Sequence, residues 1–473
     1  MIFNSLTFLL FFSFVFLSYW CLANASIKWQ NLLILISSYI FYGWWDWRFL
    51  SLIILSTIVD YYAGIRIEEA GSSNEKKKYL LLSITVNIGI LFIFKYFNFF
   101  ITSFAELLLY FGFSADTKTL SIILPVGISF YTFQTLSYSI DIYRGKIRHT
   151  RDCIAFAAFV AFFPQLVAGP IERASHLLPQ FLRKRTFDDE TAIMGISLMA
   201  YGYFKKVVIA DRLAIYVNSV FSDIQHANTL SLSIGIVFFS FQIYADFSGY
   251  SLIARGSAKL LGFDLMTNFD KPYMACTISE FWKRWHISLS TWFRDYLYIP
   301  LGGNRVTELR RCLNVLVVFV ISGLWHGANW TFVVWGFLHG IYHALYIFYK
   351  KFINPENPKN LFINILSCLF VYFLVTFAWI FFRAPNLSVA VEFVMKIIEF
   401  DTTVNLTQLC AGKGPLNLLM SFTVIMLLFL SYLLPKGMVF KYRISHVVFN
   451  FITIFLIILL GTDEKAAFIY FQF

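Results

Sequence analysis

The chain has 473 residues, of which 59% are hydrophobic and only 14% charged, where a soluble domain carries about 25% charged residues. With 56 phenylalanines and a mean hydropathy of +0.68, the chain cannot build a water-soluble surface. Many membrane-crossing helices solve the problem, because lipid replaces water around the apolar faces. The net charge of +11 gathers between apolar runs, at Lys76 to Lys78, Arg144 to Arg151, Arg183 to Arg185, and Arg310 with Arg311. It reads as positive-inside anchoring and attraction to anionic membrane lipids. There is no soluble basic domain to bind nucleic acid.

In chain order, Met1-Ile-Phe-Asn-Ser5 lacks the positive start of a signal peptide, and the apolar run to Trp20 offers no convincing cleavage site. A retained first span is expected. Apolar segments predict spans near 5–23, 30–45, 49–65, 79–97, 119–139, 153–168 and 191–209. Others are predicted near 229–247, 312–326, 331–349, 362–382, 416–434 and 446–461. A span needs about 20 apolar residues, so the short and interrupted segments reduce these to about eleven crossings plus re-entrant pieces. Residues 251–311 mix Arg255, Lys259, Asp264, Asp270, Lys271 and Glu280 with many aromatics. That is too polar to span and too apolar for an aqueous loop, which predicts amphipathic helices at the interface or in a protein-lined cavity. Nothing separates a soluble domain, so residues 1–473 read as one membrane domain. The six cysteines show no C-x-x-C pair and read as small core residues rather than a disulfide frame or metal site.

The histidines carry most of the chemical information. His149 and His176 fall in polar loops and read as solvated, and His226 and His446 flank apolar runs and read as interface residues. His326 differs, because it ends an apolar run in Ser322-Gly-Leu-Trp-His-Gly-Ala-Asn-Trp330. An ionisable group at membrane depth marks a functional site by default. Gly323 and Gly327 allow close backbone approach or a helix break. The alternative is a core histidine satisfied by Asn329 or a carbonyl. His286 lies among three tryptophans and three basic residues in Glu280-Phe-Trp-Lys-Arg-Trp-His-Ile-Ser-Leu-Ser-Thr-Trp-Phe-Arg-Asp295. On a continuous helix Trp282 and His286 would share a face, and an amphipathic helix explains the block equally well. His339 and His343 have a spacing that could hold a metal, but no Glu lies between them and no further ligand is near, so no metal site is expected. His326 and His339 can converge only if residues 327–330 break the helix. The chain has no Walker A, G-x-S-x-G or D-H-H-C sequence, which disfavours nucleotide hydrolysis, serine hydrolysis and cysteine-based palmitoyl transfer.

Five stretches together closely resemble the membrane-bound O-acyltransferase (MBOAT) family, in its bacterial branch that acetylates exported polysaccharide. They are Pro125 to Gln134 running to Asp141-Ile-Tyr-Arg-Gly145, Phe162 to Ile171 with Glu172 and Arg173, Asp246-Phe-Ser-Gly-Tyr250, Phe281 to Arg305, and Gly323-Leu-Trp-His-Gly-Ala328. The likeness is strongest over 120–345, the expected catalytic core. It implies an all-α polytopic membrane fold with re-entrant and interfacial helices around a central tunnel. It also implies His326 as the catalytic histidine and His286 as a second essential residue lining that tunnel.

A hydroxyl attacking a thioester must lose its proton, and a neutral imidazole can supply about 10²–10⁴-fold for that step. His326 is the expected base, with His286 orienting the acceptor or donating to the oxyanion. Lys283, Arg284 and Asn329 are candidates for polarising the thioester or holding donor phosphates, and Trp285 and Trp325 for lining the substrate path. No bound cofactor is expected. The resemblance implies acetyl-CoA as donor substrate, an exported polysaccharide as final acceptor, an extracytoplasmic partner acetyltransferase and a place in the bacterial cytoplasmic (inner) membrane. Two alternatives remain open: an acyl or D-alanyl transferase using a carrier-protein thioester, and a transporter with a buried histidine relay.

Overall fold

The computed structural model describes every residue except 114–118, 121, 168, 354–359, 402–404, 434–442, 463, 465, 472 and 473. Residue 121 of the expected 119–139 span, Ala168 of the second family stretch and residue 434 of the 416–434 span lie outside the described residues. Every regular element among the described residues is a helix. Nine helical stretches among them are long and apolar enough to cross a membrane, and Leu6–Cys21 and Cys153–Leu166 are shorter apolar helices. The stretch Ile27–Glu69 is itself interrupted. Asp46 leaves the helix (φ −159°, ψ 111°) and its carboxylate accepts from Arg48 N at 3.0 Å, which caps the next helical turn.

Several boundaries differ from the expectation. The span placed at 119–139 is a helix only over Ile128–Tyr143, because Gly127 at φ +76° starts it. Glycine is needed there, since a Cβ would lie 2.8 Å from the Leu166 carbonyl. The span placed at 229–247 continues as one 32-residue helix, Thr229–Leu260, so Arg255 and Lys259 sit on its last turns rather than on a separate amphipathic piece. The run placed at 153–168 is two short helices, Cys153–Ala161 and Phe163–Leu166. An unforeseen amphipathic helix occupies Leu387–Ile398.

The chain forms two compact units. The first comprises residues 1–199 and 253–266. Its interior holds one polar cluster around buried Asp60, whose carboxylate accepts from Ser83 Oγ, from Asn87 Nδ2 at 2.7 Å and from Ser139 Oγ at 2.8 Å. Three helices are joined through one side chain, as an apolar surrounding demands of any buried polar group. Glu172, also buried, accepts from Met266 N at 2.6 Å and from His176 Nδ1 at 2.7 Å. His176 therefore sits on the helix Ala174–Phe181 rather than in a loop, tied to Glu172 with its side chain still partly exposed. Burial pushes the Glu172 carboxyl up, and its hydrogen bond raises the imidazole of His176. His149 is likewise engaged, with Glu68 Oε2 at 2.9 Å.

The second unit comprises residues 200–252 and 267–473 and carries the histidine-rich segments. Its helices Glu308–His326 and Trp330–Ile353 fold back on each other around residues 327–329. They approach backbone to backbone. A Cβ on Gly323 would lie 2.2 Å from Phe332 O, and one on Gly336 would lie 2.3 Å from Phe319 O. Small residues at such a crossing let the helices meet along their main chains. The break after His326 has a local cause, because Gly327 is extended (φ −157°) with the Phe332 ring 2.1 Å from where a Cβ would stand.

Candidate active site

His326 is the last residue of its helix and is 3% exposed. Its ring centre lies 5.0 Å from Trp325, 5.0 Å from Trp335 and 5.4 Å from Phe382. His286 is fully buried, with its ring centre 6.4 Å from that of His326. The two imidazoles that sequence singled out therefore meet, and Trp325 stands against both, 6.1 Å from His286.

His286 reaches this place through a break. The continuous helix over the Glu280–Asp295 block is absent: Ile278–Arg284 ends, Trp285 is extended (φ −103°, ψ 129°), and His286 is left-handed (φ 41°, ψ 54°) before Ile287–Phe293 begins. Trp282 and His286 consequently do not share a helix face. A left-handed histidine costs roughly 1–3 kcal/mol and persists only where its surroundings hold it. Asn268 does the holding. Its Oδ1 accepts from His286 Nδ1 at 3.0 Å, from Ser288 Oγ at 2.9 Å and from Ser288 N at 3.3 Å, and its carbonyl accepts from Ile287 N at 2.9 Å. A backbone N–H can donate only to an oxygen, so the contact with Ser288 N fixes which end of the amide faces inward. His286 then carries its proton on Nδ1, and Nε2 is a buried acceptor with no hydrogen-bond partner among the described residues. Burial holds the imidazole near a pKa of about 3, so it is neutral at physiological pH. In that tautomer Nε2 accepts rather than donates, which removes neutral His286 as a donor to an oxyanion.

Sequence reasoning missed two residues here. Asn268 stands 18 positions before His286 in an unremarkable polar stretch, with no spacing to announce it. Tyr470 comes from the far end of the chain, its ring centre 5.7 Å from His326 and 6.4 Å from His286. The Asp246 motif explains how it arrives. Asp246 Oδ2 accepts from Ile469 N at 2.8 Å, while Oδ1 pairs with Lys206 Nζ at 2.9 Å. Lys206 also bonds Asp211 Oδ1 at 2.7 Å and the Ala466 carbonyl at 3.0 Å. A buried ion cluster thus pins the segment that carries Tyr470.

The other candidates have different surroundings. Trp285 is buried in an aromatic bed, 5.1 Å from both Phe269 and Trp379. Arg284 pairs with Glu280 one turn earlier at 2.5 Å. Asn329 uses its side chain locally: Nδ2 donates to Pro385 O at 2.8 Å, and Oδ1 accepts from Thr331 N at 3.0 Å at the start of the next helix. Lys283 is exposed and lines two cavities of about 390 and 460 Å³ that share Ser279, Lys283, Arg311 and His343. The larger is mostly apolar inside and reaches Ser322, one turn before His326. His339 is fully buried against Trp282 and Trp335, at 5.0 and 4.9 Å. No group of three His, Cys, Asp or Glu able to hold a metal occurs among the described residues.

The second unit thus gathers two buried imidazoles and a phenol, one helical turn beyond Ser322 in the wall of a cavity that Lys283 and Arg311 also line. The chain belongs to the membrane-bound O-acyltransferase family, whose model matches residues 146–387 and so includes both histidines. It is a multi-pass membrane acyltransferase. It is 41% identical over 403 residues to the "Probable alginate O-acetylase AlgI" of Pseudomonas aeruginosa, covering 85% of this chain and 76% of that protein. It is 35% identical over 409 residues to a peptidoglycan O-acetyltransferase of Helicobacter pylori, covering 80% and 75%. A teichoic acid D-alanyltransferase of Bacillus subtilis is 26% identical over 270 residues, covering 54% and 68%.

Proposed function

We propose that this protein takes an acetyl group from acetyl-CoA at the cytoplasmic face of the bacterial inner membrane and passes it outward for O-acetylation of an exported polysaccharide. The observation that carries the reading is the meeting of two buried imidazoles, 6.4 Å apart between ring centres, with a phenol beside both. The relatives named for O-acetylation of alginate and peptidoglycan support acetyl as the group and a glycan as the final acceptor. An extracytoplasmic partner acetyltransferase would complete the delivery.

In this reading the donor's phosphates meet Lys283 and Arg311 at the cavity rim, and the thioester arm follows the apolar interior toward Ser322 and His326. His326 removes the proton from the attacking hydroxyl as the C–O bond forms. The tetrahedral intermediate collapses, the C–S bond breaks, and the same imidazolium returns the proton to the leaving thiolate. No net proton is consumed. His286, neutral and free to accept at Nε2, orients a polar hydrogen of the acceptor; Tyr470 supplies a hydroxyl at the same centre.

The test is transfer of label from acetyl-CoA by purified, detergent-solubilised protein to a crude envelope fraction, run beside an acetylated carrier protein. Label reaching glycan or protein from acetyl-CoA supports the reading. Transfer only from the carrier thioester would overturn the donor and retain the acyl transfer.

A further inference from the structure

Of the six cysteines, two meet. Cys276 Sγ lies 3.5 Å from Cys368 Sγ and 3.6 Å from the Asn364 carbonyl, and both residues are partly exposed. They lie 92 positions apart in sequence, so their contact joins two separate elements of the second unit. Cys276 stands just before Thr277, the residue that caps the helix Ile278–Arg284. Its N–H donates to Glu280 Oε2 at 2.8 Å while Thr277 Oγ1 accepts from Glu280 N at 3.1 Å, which fixes the helix start. Cys368 lies on the helix Leu361–Arg383, which presents Phe382 to His326 and Trp379 to Trp285.

We propose that Cys276 and Cys368 are a reversible disulfide site, and that closing it restrains the entrance to the histidine centre. A disulfide needs sulfurs about 2 Å apart, so a modest side-chain adjustment completes the bond from the present contact. The oxidant is a low-molecular-weight disulfide. One cysteine thiolate attacks it and releases one thiol; the second cysteine attacks the mixed disulfide and releases the other. Two protons and two electrons leave the protein, and the oxidant is reduced to two thiols. The new bond ties the helix bearing Trp282, which leads directly into Trp285, to the helix bearing Trp379 and Phe382. Ser279 and Lys283 of the helix that follows Cys276 line both cavities, and the larger reaches Ser322, so the tie acts on a wall of that path. The effect on turnover rests on the acyl-transfer reading, whereas formation of the bond does not.

The test treats the detergent-purified full chain with glutathione disulfide, blocks remaining thiols with a maleimide, and maps peptides by mass spectrometry. The expected result is a Cys276–Cys368 cross-linked peptide that dithiothreitol reverses and that Cys276→Ser and Cys368→Ser both abolish. Acyl transfer measured on the same samples should fall severalfold on oxidation of wild type only. Maleimide-labelled Cys276 and Cys368 after an oxidation that modifies the exposed Cys153 would overturn the site. Cross-linking with unchanged turnover would overturn the restraint. Turnover lost equally in both serine variants on oxidation would assign the effect to another cysteine and also overturn it.

Discussion

Replacing Asn268 with Leu removes the acceptor that holds His286 while keeping the volume of the side chain. Three donors lose this acceptor at once: His286 Nδ1–H, Ser288 Oγ–H and Ser288 N–H. Each buried donor left unsatisfied costs about 1–3 kcal/mol, and relaxation of the left-handed turn returns part of that. We expect a net destabilisation of about 3 kcal/mol, read as a lowered unfolding midpoint in detergent. The kinetic effect should exceed what a stable fraction of folded protein explains. Without Asn268 the imidazole no longer has a fixed tautomer or orientation; losing the orienting partner of a metal-ligating histidine typically costs about 10–100-fold, and a loss of the same order is expected here. At 1.36 kcal/mol per tenfold this is about 1.4–2.7 kcal/mol in the barrier. The assay is acyl transfer per folded protein under saturating donor. Asn268→Asp retains the acceptor but places a carboxylate on the imidazole, so its protonation should move upward and an acidic limb should appear in its pH profile. A Leu variant that turns over within twofold of wild type would refute the positioning argument.

Tyr470→Phe removes one hydroxyl from the centre and should cut transfer by at least about tenfold, the scale of one lost hydrogen bond to a reacting group, with the thermal midpoint unchanged. Lys206→Met leaves Asp211 and Asp246 buried without their cation and should cost about 3–5 kcal/mol, seen as poor recovery of monodisperse protein and as proteolysis within residues 461–471. For His286 the sign runs from a folded pKa of about 3 and an unfolded one of about 6.5. Its neutral form is the folded one, so stability is fully present above the unfolded value and is lost as pH falls toward the folded one. Wild type should lose about 2 kcal/mol more than His286→Asn between pH 7.5 and 5, measured as the difference of unfolding midpoints at the two pH values.

The membrane class and His326 were legible from local signals, apolar run length and an ionisable group where lipid penalises it, whereas His286 stood out only through the family resemblance. The turn after His326 was legible too, since Gly327 and Gly323 announce close approach. What escaped was set by distant contacts. Nothing near His286 indicates that the block around it breaks into two short helices, because the break is held by Asn268 from another segment. Tyr470 escaped for the same reason, being carried in by the Lys206–Asp246 pair more than 200 positions away. Asn329 looked like a partner for His326 by adjacency, yet its amide caps a helix and binds the Pro385 carbonyl. Charge at 251–260 suggested an interfacial piece, whereas the helix from Thr229 simply continues.

The central claim is that His286 and His326 serve one reacting centre. Single-turnover acyl transfer by wild type, His286→Ala, His326→Ala and the double variant, at matched folded protein, tests it most directly. Residues that act as a unit are grossly non-additive, so each single variant should lose nearly as much as the double. Losses that simply multiply, or a His326→Ala variant that retains wild-type turnover, would contradict the shared centre.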